Sequence, residues 1–167
     1  MTRGRMRAAL AIAIFVAGAA QAQNLIVQDG WEGFAMRDGD NQFDRCVLYN
    51  RTIQALTVSP YDMLGVTRDA GGHIGLLIFY EPRTLTRGAA TVDLKVGERP
   101  PVAAAGTALS DFHVNVAALD AATLAALRDA KELEATVDGH MIRFTLTDIG
   151  AVLDRLDACV KAYAPKG

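Results

Sequence analysis

The sequence predicts an α+β fold: a twisted antiparallel sheet or small sandwich of about seven strands, with a C-terminal helix packed on it. Short segments in which apolar and polar residues alternate follow one another through most of the chain, and this alternation is typical of half-buried strands. An Asp-Gly pair at 138–139 lies between two such segments and favours a tight hairpin. The last segment instead carries apolar residues at helical spacing.

The first 22 residues have the pattern of a secretory signal peptide. Three arginines within the first seven residues precede an apolar run from Ala8 to Ala20, and "AQA" closes the segment. A basic start, a short apolar core and a small-x-small end are typical of a cleaved leader. The run is also shorter than the roughly 20 residues of a membrane-spanning helix. We expect cleavage after Ala22, leaving one domain at 23–167 in the periplasm or outside the cell; an uncleaved N-terminal anchor is the alternative.

The early part of that domain is polar and rich in glycine, and we expect irregular structure there. Trp31 and Phe34 are its expected anchors in the core. Strand-like patterns begin at Phe43. The segments Cys46–Tyr49 and Ile53–Val58 flank "NRT", which favours a hairpin connection.

Four further segments continue the sheet. Met63–Asp69 is expected to be a short strand. His73–Tyr80 is apolar almost throughout, which indicates a central strand buried on both faces. Thr91–Val96 and Asp111–Val116 alternate cleanly between apolar and polar residues, so each predicts a strand with one buried face.

A short helix is predicted at Ala121–Asp129. Asp120 is a good N-cap because its carboxylate can accept hydrogen bonds from the first turn. Leu119 and Leu124 have the spacing of a hydrophobic staple around that cap.

The hairpin around Asp138 and Gly139 is the best-defined element. Pairing outward from the turn places Glu134 opposite Arg143, an opposite-charge pair that supports this register. The same register brings six residues onto one face: Leu133, Ala135, Val137, His140, Ile142 and Phe144.

The final helix is expected to begin after Thr147 as its N-cap and to end before Pro165. Its apolar stripe should pack across the hairpin. The stripe consists of Ile149, Val152, Leu153, Leu156, Cys159, Val160 and Tyr163.

The charge balance excludes one class of partner. The whole chain has 17 Lys and Arg against 19 Asp and Glu, and removal of 1–22 leaves 14 against 19, a net charge of −5. Proteins that bind nucleic acid need a basic surface to neutralise phosphates. We therefore expect no nucleic-acid partner, and anionic lipid is a poor candidate for the same reason.

The two cysteines, Cys46 and Cys159, are expected to form a disulfide. An even number of cysteines in an exported chain favours pairing, and two cysteines allow one intramolecular bridge. That bridge would tie an early strand to the last helix. Two buried free thiols, or one catalytic thiol, are the alternatives.

Catalytic motifs are not visible. Ser59 and Ser110 lie outside any G-x-S-x-G elbow, and the chain has no Walker loop or dinucleotide fingerprint. Asp111 and His113, two residues apart on one predicted strand, are a candidate surface site for a metal ion or a proton, although an ordinary solvated pair has the same pattern. The acidic segment at 37–44 could hold calcium, but it lacks the EF-hand order and also suits an exposed turn. We predict no catalytic residue, metal site or cofactor.

Both ends of the expected domain show a family resemblance. "WEGF" and "RCVLY" occur early, and the chain closes with "FTLTDIGAVLDRLDAC". In these features it resembles small exported alphaproteobacterial proteins of unknown function, loosely like the invasion-associated locus B proteins, in which an F-x-L strand precedes a helix ending L-x-x-C. The matching positions are Phe144, Leu146, Leu156 and Cys159. With two cysteines the chain departs from the locus B proteins, which usually carry more. The resemblance implies a periplasmic, disulfide-closed, non-enzymatic protein and supplies no catalytic residues.

Three functional hypotheses follow. The first is a non-enzymatic periplasmic binding or interaction module that acts through a protein partner or envelope component. The second is an inhibitor or immunity protein for a secreted enzyme, with a protruding loop at 81–89 or 97–107. The third is a periplasmic hydrolase assembled from distant residues. A deep pocket that encloses Asp111, His113 and another acid would favour the third.

Overall fold

The computed structural model describes residues 24–25, 30–50, 62–81 and 83–165. The predicted signal peptide at 1–22 and the predicted strand Ile53–Val58 lie outside these ranges. No helix within them is long and apolar enough to cross a membrane.

The described residues form one antiparallel sheet and two helices, which confirms the α+β class. The strands are β1 (Asn24–Leu25), β2 (Glu32–Arg37), β3 (Phe43–Tyr49), β4 (Met63–Asp69), β5 (Ile74–Phe79), β6 (Gly88–Val96), β7 (Val102–Ser110), β8 (His113–Val116), β9 (Glu132–Val137) and β10 (His140–Thr145). The helices are α1 (Ala121–Arg128) and α2 (Ile149–Tyr163). All ten strands belong to one sheet in the order β1-β2-β3-β4-β5-β8-β7-β6-β9-β10, so the expected count of about seven was too low and the sandwich alternative was wrong.

β2 lies in the early segment that was expected to be irregular, so that prediction was wrong. Two of the additional strands, β2 and β7, have compositions that disfavour strands. β2 contains Gly33, and β7 is rich in alanine, both poor strand formers. Pairing with neighbouring strands overrides this preference. At Gly33 the fit requires glycine, because a Cβ there would collide with the backbone of Val47 on β3. The segment at 97–107, considered a protruding loop, is therefore a turn followed by β7.

The β9–β10 hairpin has the predicted register. Val137 pairs with His140, and Glu134 pairs with Arg143. Asp138 has a φ of 51°, which suits a two-residue turn between twisted strands. Arg143 Nη2 donates to Glu134 Oε1 over 2.7 Å, and this hydrogen bond lowers the pKa of the Glu134 carboxyl.

The main core lies on one side of the sheet, which we call the helix face because α1 and α2 cover it. Buried residues from β3 through β10 join it with buried residues of both helices. The predicted stripe of α2 is confirmed: Ile149, Val152, Leu153, Leu156 and Cys159 are buried, while Val160 and Tyr163 are half-buried. α2 lies against β2, β3 and β4 and not across the β9–β10 hairpin, so the predicted packing partner of this helix was wrong. The strand order separates the hairpin from β2, β3 and β4, and the disulfide holds α2 on β3.

Cys46 on β3 and Cys159 on α2 form the predicted disulfide, with 6.2 Å between their Cα atoms. It joins the longer of the two helices to the sheet, and the two cysteines are 113 residues apart in the sequence. Trp31 reinforces the same contact, because its indole Nε1 donates to the carbonyl of Thr147 over 2.9 Å. The buried Trp31 is thus the anchor that the sequence predicted.

The helix ends differ slightly from the prediction. Asp120 caps α1 as expected, and that helix ends at Arg128, one residue early. The N-cap of α2 is Asp148 rather than Thr147. Asp148 has left-handed backbone angles and makes no side-chain cap bond, while the Thr147 carbonyl accepts the bond from Trp31.

Candidate functional site

Asp111 and His113 lie in different environments. Asp111 is exposed in the turn before β8, and its Oδ2 pairs with Arg83 Nε over 3.2 Å. His113 is half-buried and directly opposite Phe79 on β5. The two rings stack with centroids 4.1 Å apart. The two predicted site residues therefore have separate partners.

The His113 ring is electrically neutral at neutral pH. Burial lowers its pKa from 6.5 to about 4, because removal of water disfavours the charged imidazolium. Its Nε2 is buried and has no hydrogen-bond partner within the described part of the chain. Burial of the ring, of which the stacking on Phe79 is one part, thus keeps this histidine neutral.

A row of aromatic rings crosses the side of the sheet opposite the helix face. The ring of Tyr49 lies 6.2 Å from that of Phe34 and 6.0 Å from that of Phe79, between centroids. Phe112 lies 6.0 Å from Phe79 and carries the Arg83 guanidinium 4.3 Å from its ring centroid. Phe34, the second predicted anchor, is half-buried and belongs to this row rather than to the main core.

The acidic segment at 37–44 forms an exposed turn. Asp38 Oδ1 accepts hydrogen bonds from the backbone N–H groups of Asp40 and Gln42, at 3.0 and 2.8 Å. Asn41 has a φ of 60°, as turns often require. Within the described ranges no group of three or more His, Cys, Asp or Glu is placed to hold a metal ion.

A groove of about 280 Å³ lies on the helix face, between α1 and the hairpin of β6 and β7. Its walls contain residues from β6, from the turn at 97–101, from the start of β7 and from α1. They are Leu94, Val96, Arg99, Pro100, Val102, Asp120, Ala122, Thr123 and Ala126. Sequence reasoning missed this groove because β7 was not recognised as a strand.

Small side chains on α1 leave the groove open. Leu94 on β6 pairs with Val102 on β7, and these residues form an apolar floor. Above them α1 presents Ala122 and Ala126, which are one helical turn apart. Neither methyl group fills the space, and Val102 remains 47% exposed.

Two charged residues border the groove. Asp120 Oδ1 accepts from the Thr123 N–H at 2.8 Å, and its Oδ2 accepts from Thr123 Oγ1 at 2.6 Å. These bonds lower the Asp120 pKa and commit the carboxylate to the helix cap. Arg99 is exposed, and its Nη1 donates to the Ala122 carbonyl over 2.8 Å. Its other N–H groups are further donors.

A second cavity of about 390 Å³ lies beside the start of β6. Its lining is more polar and consists of Thr84, Leu85, Thr86, Ala89, Ala90, Thr91, Val137 and Asp138. Neither this cavity nor the groove contains Asp111 or His113. Each of the two cavities contains one carboxylate.

Comparisons with protein-family models, curated proteins and solved structures find no match to this chain. The functional conclusion therefore depends on the geometry of the chain itself. In that geometry both cysteine sulfurs are held in the disulfide, so neither is a free thiol. Among the described residues, the groove combines a concave apolar surface with an adjacent arginine, Arg99, that forms no ion pair there.

Proposed function

We propose that the chain is a non-enzymatic binding module of the periplasm, which holds the apolar part of an envelope component or partner in the groove between α1 and the β6–β7 hairpin. The groove carries this proposal. Its floor is apolar, its helix side presents the small side chains of Ala122, Thr123 and Ala126, and one of its floor residues, Val102, is substantially exposed. Concave, mainly apolar surfaces with a few polar groups are the usual form of ligand sites.

The charged groups of the groove support binding rather than catalysis. Asp120 is a structural cap with a lowered pKa, so it is a poor general acid at neutral pH. Arg99 offers N–H donors and no acceptor to a ligand. A site with these groups can orient a ligand, but it has no pair of groups tuned for proton transfer.

The Cys46–Cys159 disulfide supports an oxidising compartment. Combined with the signal-peptide pattern of 1–22, it favours the periplasm. Intact mass of the exported protein, with a thiol-blocking reagent, tests this part. We expect cleavage after Ala22 and no blocked thiol before reduction; two reactive thiols without reductant would contradict it.

The binding proposal is tested with 1-octanol as a neutral apolar probe of the exported, oxidised protein. We expect amide chemical shifts to change in α1 and at the start of β7 during an NMR titration. Ala126→Leu should abolish these changes, because the larger side chain fills the groove.

Ala125→Leu is the matched control. Ala125 is exposed on the same helix and does not line the groove, and the substitution has the same effect on helix propensity. This variant should bind octanol like the unmodified protein. Shift changes away from the groove, or changes that Ala126→Leu leaves intact, would overturn the proposal.

A further inference from the structure

We infer that the groove selects ligands with an anionic head on a single apolar chain, and that Arg99 binds the head group. The simplest such ligand is an alkyl carboxylate. The ligand class rests on the proposed function of the groove, since it requires that the groove binds at all.

Arg99 supplies the positive charge that would bind the anionic head. Five of the nine arginines among the described residues form an ion pair with a carboxylate. Those pairs are Arg45–Asp44, Arg68–Asp157, Arg83–Asp111, Arg128–Asp154 and Arg143 with Glu132 and Glu134. Arg99 has no such carboxylate within the described ranges; its side chain instead donates to the Ala122 carbonyl at the edge of the groove. That bond orients the guanidinium and leaves donors for a carboxylate, which arginine can bind through two parallel hydrogen bonds.

The Asp120 carboxylate, which also borders the groove, does not cancel the preference for an anionic ligand. Both oxygens of Asp120 accept hydrogen bonds from Thr123, so the group faces the first turn of α1. Its negative charge lies at the positive end of the helix dipole, which offsets it. Arg99 is therefore the charged group that remains available to a ligand.

The floor and the size of the groove define the rest of the ligand. Val102 is 47% exposed and offers apolar surface, while Leu94 and Val96 beside it are buried, and the alanines of α1 leave a narrow space above this floor. A volume of about 280 Å³ lies just below the range of about 300–1,000 Å³ that is usual for small-molecule sites. These dimensions suit one short alkyl chain, with its head beside Arg99 at the solvent-exposed side.

Three probes with the same chain length test the inference: octanoate, 1-octanol and octylammonium. Their dissociation constants are measured by NMR titration of the oxidised protein at low and at moderate salt. We expect octanoate to bind about five-fold more tightly than octylammonium at low salt, which is the size expected for a solvent-accessible ion pair. Added salt should reduce the difference because it screens exposed charges.

Variants of Arg99 separate its charge from any structural role. Arg99→Gln should remove the preference for octanoate, and Arg99→Lys, which keeps the charge, should retain most of it. Arg37→Gln is the matched control. Arg37 is also exposed and also donates to a backbone carbonyl, that of Asn41 at 2.9 Å, but it lies at the end of β2 and outside the groove.

The outcomes distinguish the two proposals. If octanol binds in the groove but octanoate has no advantage over octylammonium, the anion preference is wrong and the binding function stands. If the preference persists in Arg99→Gln, the assignment to Arg99 is wrong. If none of the three probes binds in the groove, the binding function and the ligand class both fail.

Discussion

The helix face is closed at one end and open at the other. Toward β2, β3 and β4 it is covered by α2, a 15-residue helix with five buried side chains and a disulfide to β3. Toward β6 and β7 it is covered by α1, which has eight residues and two buried side chains, Thr123 and Leu127. Both helices lie on the same sheet, yet one completes a core and the other borders a groove.

The difference between the two helices shows that the volume of the side chains facing the sheet determines whether a closed core or an open groove forms beneath a helix. On α2 a stripe of large apolar side chains, from Ile149 to Leu156, is buried against the sheet. On α1 the residues that line the groove are Ala122, Thr123 and Ala126, whose side chains are small, so Val102 in the floor stays 47% exposed. A binding surface arises here because the covering helix is short and its side chains are small.

Removal of the disulfide should have the largest effect. The double variant Cys46→Ala/Cys159→Ala should lose about 4–5 kcal/mol in its free energy of unfolding, because a bridge across a loop of about 100 residues restricts the unfolded chain by that amount. Urea denaturation measures the loss, and the reduced unmodified protein should behave in the same way. A loss below about 1 kcal/mol would show that packing alone closes the α2 end.

A pair of leucine variants compares the two helices directly. Leu156→Ala on α2 should cost about 3 kcal/mol, since Leu156 is fully buried. Leu124→Ala on α1 should cost about 1 kcal/mol, because Leu124 is only half-buried. Both values come from urea denaturation under the same conditions. An equal or larger loss of unfolding free energy in Leu124→Ala would contradict the conclusion that α2 is packed more tightly on the sheet than α1.

The free energy of unfolding should decrease at acid pH because of His113, which lies on the side of the sheet opposite the helices. The unfolded chain takes up a proton on His113 near pH 6.5, but the folded chain does so only at about 4, so stability falls as the pH drops from 6.5 to 4. The loss is about 2 kcal/mol once the solvent contact of the half-buried ring is allowed for. Urea denaturation between pH 7 and pH 4 measures it.

Two variants identify the source of that acid sensitivity. His113→Phe keeps a ring against Phe79 but cannot titrate, so its stability should depend less on pH in this range. His140→Gln removes an exposed histidine and should retain the pH dependence of the unmodified protein. The same slope in His113→Phe as in the unmodified protein would rule out His113 as its origin.

The smallest effect should be local to α1. Thr123 lowers the pKa of Asp120 in the folded state, so the cap stabilises α1 above pH 3.8 and is lost as the pH falls through the lower folded-state value. Cα chemical shifts of α1 should therefore move toward unfolded values below pH 3.8, and Asp120→Ala should cause this change at all pH values. The shifts of α2 are the control, since its N-cap, Asp148, makes no side-chain cap bond. Equal changes in both helices would contradict a local role.

Local chemistry made several elements predictable. The Asp138–Gly139 turn dictates the pairing of β9 with β10, because a two-residue turn allows one register. The cap at Asp120 depends on a contact three residues away. The disulfide followed from the cysteine count, since Cys46 and Cys159 had no other partner. The aromatic row and the stacking of His113 on Phe79 were not predictable, because they join strands that are distant in sequence.

By itself, the sequence determined the α+β class, the hairpin, both helices and the disulfide, since each depends on short-range patterns or on a unique pairing. Only the tertiary structure decided the ten-strand order, in which β8, β7 and β6 separate β5 from β9. That order places the alanine-rich β7 within the sheet and sets Val102 beside Leu94 under α1. The groove therefore depends on long-range pairing that outweighs the weak strand preference of alanine and glycine, and no local pattern encodes such pairing.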